Sequence, residues 1–105
     1  MFVFENETLK ITRGDTGTVR LSWEDANGND TTPTGYTAKL SVKKTAYDKE
    51  YVLQKECVND QFNFTHEDTD KLFPGTYQFD IEIKNGASVA TLGPFSLEVK
   101  TDITR

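Results

Sequence analysis

At 105 residues the chain is the size of one domain, and such a domain buries roughly two-thirds of the surface its unfolded form exposes, enough for a core without metal or disulfide. Twelve basic residues against seventeen acidic ones leave a net charge of −5, and the basic residues are scattered, which excludes the basic stripe a nucleic-acid binder needs. The single Cys57 excludes an internal disulfide and suits a reducing compartment, and the single His66 excludes a His-pair metal site.

Met1-Phe2-Val3-Phe4 opens the chain as an apolar run, and Glu5 and Glu7 follow at once. A secretory signal needs a basic start and a longer apolar run, and no segment reaches membrane-spanning length. The expectation is therefore a chain that begins at its first methionine, with no signal peptide and no membrane partner. Three large apolar residues at a terminus are better buried on a neighbouring chain or folded down as an edge strand. That makes Phe2, Val3 and Phe4 candidate partner contacts, a second copy included.

Short alternating runs follow. Leu9 and Ile11 alternate with Lys10 and Thr12; Val19, Leu21 and Trp23 alternate with Arg20 and Ser22. Gly14 and Gly17 bracket Asp15-Thr16 between them, fitting a tight turn or glycine bulge. Arg13-Gly14-Asp15 spells an adhesion tripeptide, but a tripeptide is a weak signal, and a turn with Asp15 bonding nearby amides explains it. Trp23 is expected in the core between two sheets.

The polar loop 24–33 contains Asn27-Gly28, a strong turn dipeptide. Its start, Asp25-Ala26-Asn27-Gly28-Asn29-Asp30, resembles a calcium loop only briefly: glycine falls fourth rather than sixth, and Tyr36 stands where a bidentate Glu is required. No metal and no cofactor are implied. Tyr36, Ala38, Leu40 and Val42 form the next run, and the charges of Lys43-Lys44 would discourage edge pairing there. Tyr47 and Tyr51 flank Asp48-Lys49-Glu50; with loop 24–33 they form the candidate platform of an alternative reading, a host-surface or carbohydrate-binding module.

Tyr51 and Leu53, then Phe62 and Phe64, mark two shorter strands. Thr65-His66-Glu67-Asp68 offers an N-cap hydroxyl with an acid three residues on, so one or two helical turns are expected near 66–72. The next segment is the most informative. Leu72-Phe73-Pro74-Gly75-Thr76-Tyr77 leads into a strand in which Tyr77, Phe79, Ile81 and Ile83 point one way and Gln78, Asp80, Glu82 and Lys84 the other. Leu72, Pro74, Gly75 and Tyr77 are expected to form a structural corner, the tyrosine hydroxyl bonded to backbone a few residues upstream. Asn85-Gly86 signals a hairpin, residues 89–92 a further run, and Gly93-Pro94 the opening of a last strand with Phe95, Leu97 and Val99 inward.

Seven or eight such strands predict an all-β antiparallel sandwich occupying residues 1–105 as one domain, and the entry from Leu72 to Tyr77 resembles that of a late strand in an immunoglobulin-like sandwich. Catalysis is not expected. No glycine-flanked serine elbow or phosphate loop exists, and Asp80 and Glu82 alternate on the wet face of one strand rather than facing each other across a cleft.

Several segments in order carry a family resemblance: residues 4–7 leading into Leu9-Lys10-Ile11-Thr12-Arg13-Gly14-Asp15-Thr16-Gly17-Thr18; Gly35-Tyr36 with Leu40-Ser41-Val42-Lys43-Lys44; Glu67-Asp68-Thr69 with Leu72, Pro74-Gly75 and Tyr77; Asp80-Ile81; Thr91-Leu92-Gly93-Pro94-Phe95; and Asp102-Ile103-Thr104. Together they resemble the immunoglobulin-like domains of phage and prophage tail and baseplate proteins, and are similar to the N-terminal domain of the phage baseplate upper protein family. The resemblance implies a non-enzymatic structural or assembly part. Its partners would be other phage structural proteins and itself, and its place the virion or, during assembly, the bacterial cytoplasm. In that family a long C-terminal region follows the domain, whereas this chain stops at Arg105, so a free-standing virion protein and an excised domain both fit.

Overall fold

The computed structural model describes residues 2–45 and 47–101. The segment Asp102-Ile103-Thr104 that enters the family resemblance lies outside the described residues, as does Met1. Eight strands and one helical turn succeed one another: β1 (Phe2–Glu5), β2 (Thr8–Thr12), β3 (Gly17–Arg20), β4 (Thr37–Lys43), β5 (Leu53–Glu56), β6 (Gln61–Phe64), α1 (His66–Asp70), β7 (Gly75–Asn85) and β8 (Ser88–Lys100). Six strands form one sheet in the order β1-β2-β8-β7-β4-β5, and β3 pairs with β6 in a second. The fold is the all-β sandwich expected from the alternation.

The core lies between the sheets. Leu9, Ile11, Leu40, Val42, Tyr77, Phe79, Ile81, Leu97 and Val99 project from the large sheet, and Phe62 and Phe64 from the small one. Phe62 is fully buried. Pairing is antiparallel except between β2 and β8, which run parallel with Leu9 opposite Leu97 and Ile11 opposite Val99. A parallel pair needs a long crossover, and here the rest of the domain supplies it.

Two turns escape the sequence reading because ordinary residues occupy them. Asn6 and Glu7 both have positive φ, 50° and 62°, the backbone of a type I′ hairpin, and they fold β1 back onto β2 with Phe2 opposite Ile11. Asn59 and Asp60, at 52° and 63°, form a second two-residue turn of this kind where the chain passes from β5 to β6.

Three expectations are corrected. The run 19–23 is strand only as far as Arg20; the Trp23 carbonyl instead accepts the Thr31 amide at 2.8 Å and Glu24 bridges to Asp30, so the loop takes the backbone groups a neighbouring strand would use. Trp23 is accordingly half-buried at the margin of the core, edge-on to Tyr36 at 4.9 Å. The strand bearing Lys43, whose charges are expected to discourage edge pairing, offers no edge at all, since β4 lies between β5 and β7; that expectation is not corrected. Gly93-Pro94 does not open the last strand: β8 runs through it, and the two residues fall at the register shift between Phe79 and Ile81, where a missing amide donor costs no ladder bond. Lastly, the β7–β8 turn is one residue further on than Asn85-Gly86, because Asn85 pairs with Ser88 and Gly86-Ala87 form the loop, Gly86 at φ 63°.

Candidate functional site

The lower end of β7 is closed by side-chain bonds. Thr65 caps α1 by accepting the Asp68 amide at 3.2 Å, while Asp68 accepts the Thr65 amide at 2.9 Å, a reciprocal capping box. Asp68 also meets the Lys55 ammonium at 2.9 Å. Burial pushes its carboxyl up, but Lys55 and the Thr65 amide and hydroxyl outweigh that and hold it below the ordinary value. Thr69, wholly buried, donates to the Asp15 carbonyl at 2.8 Å. The Tyr77 hydroxyl donates to the Phe73 carbonyl at 2.8 Å, the bond that defines a tyrosine corner. Leu72 is buried beneath it, Pro74 stays exposed, and Gly75 takes a φ of 148° that other residues resist.

This closed end absorbs the adhesion tripeptide. Arg13 Nε donates to the Asp70 carbonyl at 2.7 Å and its guanidinium lies 4.9 Å from the Phe73 ring centre. The Gly14 carbonyl lies 2.7 Å from His66 Nδ1. All three positions are committed to holding the β2–β3 turn against α1.

In loop 24–33 one oxygen of Asp25 accepts the Asn27 and Asn29 amides at 2.9 and 3.0 Å, and these bonds lower its pKa. The carboxylate serves its own turn, and among the described residues no group of three or more His, Cys, Asp or Glu side chains converges on a metal position. Tyr36 donates to Asp60 at 2.5 Å and touches the Cys57 sulfur at 3.6 Å. Burial first, then these two contacts, push its pKa up. Through these contacts Tyr36 ties the turn at Asp60 to Cys57 and braces the β5–β6 crossover. Tyr47 is 95% exposed, and Tyr51 lies under the Lys43 ammonium, 4.7 Å from its ring centre. No ring contact joins the two tyrosines among the described residues.

The upper end is different. Of the terminal residues, Phe2 still belongs to the closed end, opposite Ile11 and so level with Val99 and Gly75; it is half-buried, its ring against Phe64 and against Gly17, where a Cβ would collide with it. Phe4 is 53% exposed, edge-on to Phe95 at 5.5 Å. Beside Phe4 the short β3 fails to cover the large sheet, and an apolar groove of about 310 Å³ opens between them, lined by Phe4, Val19, Leu21, Phe79, Leu92 and Phe95 among others. No carboxylate, histidine or cysteine lines it.

Along the groove runs an open backbone edge. β2 pairs with β8 only from Ser96 to Lys100, so residues 88–95 of β8 have β7 on one side and no strand of the described residues on the other. Ala38 and Val42 turn their carbonyls to the β5 side, so alternate residues of β4, and hence the even-numbered residues of β7, face each other. The odd-numbered residues of β7 then bond Ser88, Ala90 and Leu92. Val89 and Thr91 are left with amide and carbonyl pointing outward. Sequence reasoning missed this edge because it read 89–92 and 95–99 as separate strands. The signal was there: residues 85–97 carry no charged side chain in a chain that is 28% charged.

No protein-family model and no curated protein matches the chain.

Proposed function

We propose that the chain is a non-enzymatic structural or assembly module of a phage or prophage tail, of baseplate type, acting through protein–protein contacts. The observation that carries the contact reading is the upper end of the sandwich, where an open backbone edge adjoins an apolar groove without acid–base groups. Such a surface suits another polypeptide better than a reacting small molecule. The tail context rests on the resemblance of the segments from Leu9 to Thr18 and from Glu67 to Tyr77, and the sandwich is the fold that resemblance implies. Within this reading the protein resides in the virion, or in the bacterial cytoplasm during assembly. For the glycan-binding alternative, Tyr47 and Tyr51 are both exposed, with Lys43 over one face of the Tyr51 ring.

Proteomics of purified particles from a producing strain tests the proposal. The reading predicts that the chain co-purifies with tail proteins at a fixed stoichiometry. Its absence from both particles and tail-assembly intermediates would contradict it.

A further inference from the structure

We infer that the open edge of β8 pairs with the same edge of a second copy, antiparallel and across a two-fold axis at Ala90. The inference builds on the protein–protein reading but not on the tail context.

The edge needs a strand. Val89 and Thr91 each present an unused donor and acceptor in the plane of the sheet, and only another extended backbone satisfies both at once. Edge strands are commonly guarded by lysine, proline or a covering element. Here the guard is missing over residues 88–92, Ser-Val-Ala-Thr-Leu.

The register favours a copy of the chain itself. With Ala90 opposite Ala90 of the second copy, each Val89 faces a Thr91, and these are the residues whose backbone groups point outward. Both are β-branched, a side-chain type that packs well across strands. The small Ala90 sits at the axis, where the closely spaced pair leaves least room. An antiparallel self-pairing of an uncharged stretch also sets no like charges against each other, although the chain as a whole is at −5.

The ends of the edge fit this register too. Pairing about Ala90 brings the Gly86-Ala87 tip of one copy beside Gly93 and Pro94 of the other. That stops just short of Ser96, whose amide is already taken by the Glu7 carbonyl at 3.0 Å. The β1–β2 turn therefore ends the available edge where the second copy's hairpin runs out.

Ala90 is exposed in the single chain, so charges can be placed there without disturbing the core. Sedimentation analysis of wild type, Ala90→Lys, Ala90→Glu and a 1:1 mixture of the variants tests the arrangement, with circular dichroism verifying that each is folded. Wild type is expected to dimerise and each variant alone to be monomeric. The mixture should restore the dimer, because opposite charges then meet at the axis. A wild type that stays monomeric at about 1 mM, where even a weak interface would form, overturns the inference; so does a dimer that survives in either variant alone. Neither result depends on whether the chain is found in tail particles.

Discussion

Around Gly75, β7 enters the sheet past a helical cap, a buried threonine, an arginine clamp and a tyrosine hydroxyl, all bonded to nearby backbone. Around Asn85 the same strand leaves the core, and its partner β8 is exposed along residues 88–94 with two residues' backbone groups unpaired. One pair of strands thus has a sealed end and an open end. Side chains that bond to the chain's own backbone fix the fold, whereas unused backbone groups beside apolar side chains are available to something else. Stability should therefore concentrate at the sealed end and association at the open one.

The largest effect should come from the core beneath the sealed end. Phe62→Ala, at a fully buried position, should lower stability by about 3–5 kcal/mol in urea melts of dilute protein. Tyr77→Phe removes one buried hydrogen bond and should cost on the order of 1–2 kcal/mol without moving the monomer–dimer equilibrium; an unchanged melt would count against the corner. Acid should act at the sealed end as well. Because the folded-state pKa of Asp68 is depressed, its contribution is fully present above the ordinary value of 3.8 and is lost as pH falls through the lower folded-state value. Asp68→Asn should flatten that part of the pH–stability curve, and a curve of unchanged slope would show that Lys55 and the cap do not hold the carboxylate. The smallest effect on folding belongs to the open end: Leu92→Ser, at a position 41% exposed, should shift stability in dilute solution by no more than about 0.5 kcal/mol. A loss comparable to that of Phe62→Ala would erase the distinction between the two ends.

The sealed end was largely legible in the sequence, and the open end was not. Thr65 with Asp68 three residues on, and Leu72-Phe73-Pro74-Gly75 before Tyr77, are local signals whose side chains bond within a few residues of themselves, so spacing alone exposes them. The open edge depends on where distant strands stop. Nothing local says that β2 reaches only as far as Ser96 of β8, or that Glu7 adopts a positive φ and turns β1 back. Gly93-Pro94 reads as a strand boundary because proline lacks a donor, yet a bulge absorbs it. Trp23 misled for a related reason: alternation continues through it, but the hydrogen bonds of loop 24–33 end the strand at Arg20.

Amide hydrogen exchange read residue by residue along β8, at low and high protein concentration, tests the contrast most directly. In dilute protein the amides of Ala90 and Leu92, bonded to β7, should be protected while those of Val89 and Thr91 exchange freely. Raising the concentration should protect Val89 and Thr91 and leave the sealed-end amide of Tyr77 as it was. Equal protection of all four β8 amides in dilute protein, or continued free exchange of Val89 and Thr91 when concentrated, would contradict the account.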